Sequence, residues 1–224
     1  DDKLMQVSHE TVYQHLYVQT RGQLRADLHK CLSTHRPARK PRGQTKSRGT
    51  FSDVITISQR PAEAADRAVP GHWEGDLIIG TMTRSAVGTL VERTTRLTVL
   101  LHLPNGHGAA AVREAATEAI QRLPAALVRS LAWDQGREML QHREFTIDTG
   151  VQVYFCDPHS PWQRPTNENT NGLLRQFMPK GTDLGVHTVT DLERIAQSLN
   201  ERPRKSLGYM TPSEKFAELV ASTD

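Results

Sequence analysis

From about residue 70 the apolar positions follow two rhythms. Short continuous or alternating runs predict strands, and stripes spaced by three and four predict helices. Trp73 to Ile79, Ala86 to Glu92 and Arg96 to Leu103 read as strands, the last two joined by a short turn at Arg93-Thr94-Thr95. Ala109 to Leu123 reads as a helix with Val112, Ala116, Ala119 and Leu123 along one stripe, stopped by Pro124. Ser130 to Trp133 is a short strand, followed by a helix from about Glu138 to Thr149 that ends at Gly150. Val151 to Cys156 is nearly all apolar, so a strand buried on both faces is expected. After an irregular turn at Asp157 to Pro161, Thr166 to Phe177 is helical. Two later helices carry a capping-box pattern, Thr190 with Glu193 and Thr211 with Glu214, the second with Pro212 at its first position. This order predicts an α/β architecture: a hairpin-built sheet extended by parallel strands, with helices on its faces. No internal repeat is present.

The preceding residues have another texture. Ser8 suits the N-cap of a helix from about His9 to Tyr17, with Val12, Leu16 and Tyr13 on one face. A second helical stretch, Gln23 to Leu32, spaces Leu24, Leu28 and Leu32 by four. Residues 36 to 49 then hold two prolines, two glycines and six cations (Arg36, Arg39, Lys40, Arg42, Lys46 and Arg48), with no acids. Such a stretch is an extended linker. The expected organisation is a helical region at 1–34, a basic linker at 35–69 and a core at 70–224. Because residue 1 is Asp and a helix starts almost at once, the chain is expected to be a fragment of something longer.

Charge changes the picture more than composition does. The 224 residues carry 28 Lys+Arg against 25 Asp+Glu, but nine of those cations and only one acid, Asp27, fall within residues 21–50. The remainder is left with 19 cations and 24 acids. A basic segment beside an acidic body predicts a polyanion partner and a reaction site that gathers carboxylates. No apolar run approaches the ~18 residues that span a bilayer. Two cysteines, Cys31 and Cys156, cannot build a disulfide framework or a four-ligand zinc site. With no secretory signal at the start, a cytoplasmic protein is expected.

Three acids stand where local structure does not require them. Asp76 lies inside the first core strand, where Asp is disfavoured. Asp134 directly follows an apolar strand, and Glu168 lies in the first turn of a helix. Singly, each could be a strand-end cap, a turn residue or a helix-dipole partner. Together, from three separated elements, they predict a carboxylate cluster that cations must neutralise. Hard oxygen ligands suit Mg2+ or Mn2+, and two such ions about 4 Å apart can drive phosphoryl transfer.

The acids are 58 and 34 positions apart. This spacing resembles the DDE transposases with an RNase H-like fold. Gly71-His72-Trp73-Glu74-Gly75-Asp76-Leu77-Ile78, Thr89-Leu90-Val91-Glu92-Arg93, Trp133-Asp134-Gln135-Gly136 and Tyr154 to Arg164 are more narrowly similar to the IS-thirty family of bacterial insertion sequences. Thr166 to Gly172, Pro179 to Thr182 and Asn200 to Lys205 continue the match, which covers roughly residues 5 to 220. The resemblance implies an RNase H-like integrase core in which Asp76, Asp134 and Glu168 form the catalytic, metal-holding triad. It also implies two Mg2+ or Mn2+ ions per DNA-bound site and a preceding helix-turn-helix for the terminal inverted repeats, of which Ser8 to Tyr13 resembles the last helix. The implied partners are element ends and target DNA, held by a homodimer or larger assembly on the bacterial nucleoid. The family carries glycine where this chain has Pro165. At the entry to the Glu168 helix proline is acceptable, whereas in place of a positive-φ glycine it would displace Glu168.

Further DNA contacts are expected from Arg164, Arg175, Lys180 and His159 around the Glu168 helix, and from the Arg36–Arg48 run. Two readings stay open for Asn167, Asn169 and Asn171: DNA backbone contact, or satisfaction of helix ends. Glu74 is expected at the surface rather than on a metal, and Trp73 and Trp162 in the core rather than against bases. The function expected is metal-dependent cleavage and strand transfer at the ends of an insertion sequence. A non-catalytic, repressor-like DNA binder and a hydrolytic nuclease of the same superfamily are the alternatives.

Overall fold

The structure is a computed structural model that describes residues 54–64, 68–157 and 160–222, all within the Thr45–Asp224 unit of the chain. The two expected N-terminal helices, the basic run Arg36–Arg48 and His159 lie outside these residues.

Five strands form one sheet: β1 (His72–Ile79), β2 (Ala86–Glu92), β3 (Thr98–His102), β4 (Ser130–Trp133) and β5 (Gln152–Phe155), in the order β3-β2-β1-β4-β5. The first three are antiparallel neighbours, whereas β4 and β5 add in parallel on the other side of β1. Among the described residues five helices accompany them: α1 (Ala109–Gln121), α2 (His142–Thr149), α3 (Pro165–Leu174), α4 (Val189–Asn200) and α5 (Pro212–Ala221). Strand alternation sorts the core into two layers. On one face Trp73, Leu90, Leu131 and Trp133 pack with Val112, Ala116 and Ile120 of α1 and Phe145 of α2. On the other, Ile78 and Val87 pack with Leu174 of α3 and Leu192, Ile195 and Leu199 of α4. This is the expected mixed sheet with helices on both faces.

Several boundaries differ from expectation for tertiary reasons. β5 is only half buried, with Gln152 and Tyr154 partly exposed, because it lies at the sheet edge rather than in its middle. The stretch expected as one helix at 138–149 splits into a 3-10 turn, Arg137–Met139, and α2, which closes on Gly150 at φ 72°. The capping box of α4 is Thr188 with Asp191, two residues ahead of Thr190 and Glu193. That of α5 is Thr211 with Glu214, as expected. Residues 54–64, assigned to the linker, pack on the core: Phe155 N–H donates to Ile55 O at 2.8 Å, and Ala64 is fully buried. Among the described residues no helix is long and apolar enough to cross a membrane.

Candidate active site

The parallel pairing of β1 with β4 sets Glu74 opposite Ala132. Side chains alternate with a period of two, so one more period brings Asp134 level with Asp76 on an adjacent strand and the same face. Gly75 permits this approach, because a Cβ there would lie 2.0 Å from the Trp133 ring on the opposite face.

Two neighbouring carboxylates repel unless a cation intervenes. Here the cation is Arg164, which is buried: its Nη1 lies 3.5 Å from Asp76 Oδ1 and its Nη2 3.7 Å from Asp134 Oδ2. Nη1 also donates to Gly75 O at 2.6 Å. Burial works against the Arg164 charge, but Asp76 and Asp134 outweigh it and push its pKa up. Burial likewise raises the Asp76 carboxyl; Arg164 opposes that shift and Asp134 adds to it. Gly136 N–H fixes Asp134 by donating to its Oδ1 at 3.1 Å.

α3 docks on β1 through polar bonds that sequence reading did not anticipate. The Asn167 N–H belongs to the first turn, where no intrahelical acceptor exists. It donates instead to Glu74 Oε2 at 2.9 Å, and the Asn167 side-chain amide returns a bond to Glu74 O at 2.8 Å. Thr89 Oγ1 donates to Asn167 Oδ1 at 3.2 Å. Glu74 is fully buried and ion-paired to Arg93 Nε at 3.0 Å. Its expected surface position is therefore corrected; α3 covers it. Burial raises its pKa, while the Asn167 N–H and Arg93 work the other way. Asn171, one turn beyond Asn167, donates to Asp76 Oδ2 at 2.9 Å. For Asn167 and Asn171 the structure thus shows bonds within the protein.

Pro165 occupies the start of α3, where its missing N–H costs little. Arg164 before it has φ −126° and ψ 53°, off the helical region though short of full extension. Glu168 follows in the first turn with its side chain exposed. It is an i, i+3 neighbour of Asn171, a spacing that puts Cβ atoms about 5–6 Å apart. Glu168 is therefore one helical neighbour from the amide that touches Asp76. Among the described residues no group of three or more His, Cys, Asp or Glu is placed to hold a metal ion. The donors present nevertheless suit a hard divalent cation. Asp76 and Asp134 supply carboxylate oxygens, and Asn171 Oδ1 beside them is a buried acceptor without a hydrogen-bond partner.

The other expected residues are placed as follows. Arg175 donates to Met178 O at 3.3 Å; burial lowers its pKa, and Asp76 opposes that. Lys180 is exposed beyond α3. Trp73 is fully buried, as expected, but Trp162 is 69% exposed beside Arg164 instead of in the core. Glu138 is an acid that sequence reading passed over. Gly136 leaves room for its carboxylate to fold back toward Asp134. Burial, and then Asp134, raise its pKa, although its own N–H pulls the other way. Its position four residues after Asp134 was the only available signal.

A five-stranded mixed sheet with paired aspartates at the β1–β4 junction and a polar-docked helix beside them defines an RNase H-like α/β core. Residues 66–161 match the family described as Integrase core domain. Three transposases align over nearly the whole chain. That of insertion sequence IS1086 from Cupriavidus metallidurans is 50% identical over 99% of this chain and 66% of its own length. InsI of IS30C from Escherichia coli is 44% identical over 99% and 58%. That of IS4351 from Bacteroides fragilis is 35% identical over 96% and 65%. The chain belongs to the IS30 family of insertion-sequence transposases. It spans somewhat less than two thirds of the length of these relatives.

Proposed function

We propose that this chain is the catalytic part of a DDE transposase that cleaves DNA at the ends of an insertion sequence and joins them to target DNA. The observation that carries this reading is the Asp76–Arg164–Asp134 arrangement, two aspartates from adjacent strands sharing one guanidinium at 3.5 and 3.7 Å. Each displacement forms one P–O bond and breaks another: water frees a 3′-hydroxyl at the element end, and that hydroxyl then attacks a target phosphodiester. Asp76 and Asp134 would hold Mg2+ or Mn2+, two ions when DNA is bound, and Glu168 would complete the set from α3. Bound there, such ions would polarise the phosphoryl oxygens and favour deprotonation of the attacking oxygen. Arg164 holds the aspartates together when no ion does, and it offers a guanidinium to the phosphate during the reaction. Asn167 and Glu74 fix the helix that presents Glu168. His159, Arg175, Lys180 and the Arg36–Arg48 run would contact DNA, and residues 1–34 would be the end of the repeat-binding region. Two element ends must be held together, so a homodimer or larger assembly on chromosomal DNA, in the cytoplasm, is the active form.

The test incubates supercoiled donor DNA carrying matched ends with the protein and Mn2+ or Mg2+. Strand-transfer products support a transposase, nicks alone a nuclease, and binding without products a non-catalytic relative. In parallel, Mn2+ should raise the melting temperature, because a ligand bound only by the folded state stabilises it. The combined change Asp76→Asn, Asp134→Asn and Glu168→Gln should abolish that rise while leaving the protein folded. A rise that survives all three changes places the metal elsewhere.

A further inference from the structure

We propose that a second anion site, formed by Arg96, Arg204, Asn169 and Ser206 on the outer side of α3, takes one backbone phosphate of the DNA strand that leaves the carboxylates. The inference rests on the nucleic-acid reading above. A cavity of about 270 Å3 is lined by Arg96, Pro165, Asn169, Thr170, Arg204 and Ser206. At about 30 Å3 per water that is room for roughly nine waters, enough for a phosphodiester group with part of its hydration. Two guanidinium side chains border the space and no carboxylate does. No aromatic ring lines it either, so the chemistry suits a phosphate rather than a base.

The arginines come from separate elements, and bonds to those surroundings hold each at the edge of the cavity. Arg96 stands in the β2–β3 turn at φ 66°, a conformation that non-glycine residues keep only where their surroundings impose it. Its N–H donates to Glu92 O at 2.9 Å and its Nη1 to Thr166 Oγ1 at 2.8 Å, which ties it to the start of α3. Arg204 follows α4. Its backbone is pinned within its own loop, donating to Met210 O at 3.0 Å and accepting from Leu207 and Tyr209 N–H at 2.9 Å each. Its Nη2 donates to Leu199 O at 3.1 Å, while its Nε is buried without a hydrogen-bond partner. Burial and then the neighbouring Arg202 lower the Arg204 pKa, and an anion in the cavity would counter both effects.

Position supplies the rest. Asn169 and Pro165 are four residues apart and share a face of α3, while Glu168 precedes Asn169 and is rotated about 100° from it. Asn169 is thus the immediate chain neighbour of Glu168, which ties this face of α3 to the strand proposed to leave the carboxylates.

The experiment measures binding of the full chain to element-end DNA by fluorescence anisotropy over a range of salt concentrations. Arg204→Gln should flatten the slope of log affinity against log salt by about 0.9, the share of one phosphate contact. Ser206→Asp, which alters only an exposed side chain, should weaken binding to all sequences, and Arg204→Lys should retain the original slope. DNA carrying single methylphosphonate linkages should bind the unmodified chain more weakly at one position that becomes silent with Arg204→Gln. An unchanged slope in a folded Arg204→Gln protein overturns the site, as does the lack of any silenced linkage. Scoring Mn2+-dependent cleavage by the unmodified chain separates the two readings. Cleavage with an unchanged slope refutes the phosphate site alone; a changed slope with no cleavage refutes the transposase reading alone.

Discussion

Replacing Glu74 is the sharpest test of how this fold positions its chemistry. The side chain is fully buried and joins three things: the Arg93 guanidinium at 3.0 Å, the Asn167 N–H at 2.9 Å and, through its backbone, the Asn167 amide at 2.8 Å. Glu74→Ala leaves Arg93 buried without this charge partner, a change that costs about 3–5 kcal/mol. Against a total stability of about 5–15 kcal/mol this is large, and it corresponds to a fall in melting temperature of roughly 6–20 °C for a chain of this size. Glu74→Gln keeps an acceptor for Asn167 and loses only the charge, so the smaller penalty of an imperfectly satisfied group applies, about 1–3 kcal/mol. Denaturant unfolding measures both costs. Hydrogen exchange locates the effect: the Asn167 amide should be protected in the unmodified chain and lose most of that protection in Glu74→Ala. Cleavage by a folded Glu74→Gln protein should fall, because the placement of α3, and with it Glu168, changes. A cost below about 1 kcal/mol for Glu74→Ala, or an Asn167 amide that exchanges as before, would refute this account of α3 docking.

Other consequences concern neighbouring positions. His72 is buried and shares a hydrogen bond of 2.8 Å between its Nδ1 and Ser130 Oγ; burial, then Arg60, depress its pKa to about 4. A depressed folded pKa means stability present above pH 6.5 and lost as pH falls toward 4. The stability difference between the unmodified chain and His72→Gln should therefore shrink by up to about 3 kcal/mol over that window in denaturant titrations. Gly75→Ala should cost about 1–3 kcal/mol or more, since the new methyl group meets the Trp133 ring and both side chains are locked in the sheet; a stability within 0.5 kcal/mol of the unmodified value, read by the same titration and taken as roughly unperturbed, would contradict it. Pro165→Gly should change the strand-transfer rate by less than about tenfold, or about 1.4 kcal/mol in the barrier, because Pro165 already sits where an N–H has no helical partner. A rise of several orders of magnitude would show that proline misplaces Glu168.

The strand and helix pattern was legible because it is written locally. The runs Ala86–Glu92 and Ser130–Trp133 coincide with β2 and β4, and the Thr211-Pro212-Glu214 signature marks the start of α5. Capping and alternation depend on residues within a few positions of each other, so a single sequence carries them. The aspartates were legible for a related reason: a charged residue within or directly after an apolar strand breaks a local rule and so announces a tertiary role. What depended on distant partners was not legible. β5 alone looks like an interior strand, and only the sheet order makes it an edge. Glu74 looks like a polar residue with open choices, yet α3 arrives from 93 positions away to bury it and use its carboxylate as a helix cap. Trp162 has the composition of a core residue, but its turn leaves it in solvent. Arg164 carried an expected cation, while its place between Asp76 and Asp134 follows from strand register and helix entry, which no short window contains. Residue type and spacing thus singled out the candidate groups for the proposed phosphoryl chemistry. Burial, register and charge pairing decided which of them meet, because those quantities belong to surfaces brought together only by the folded chain.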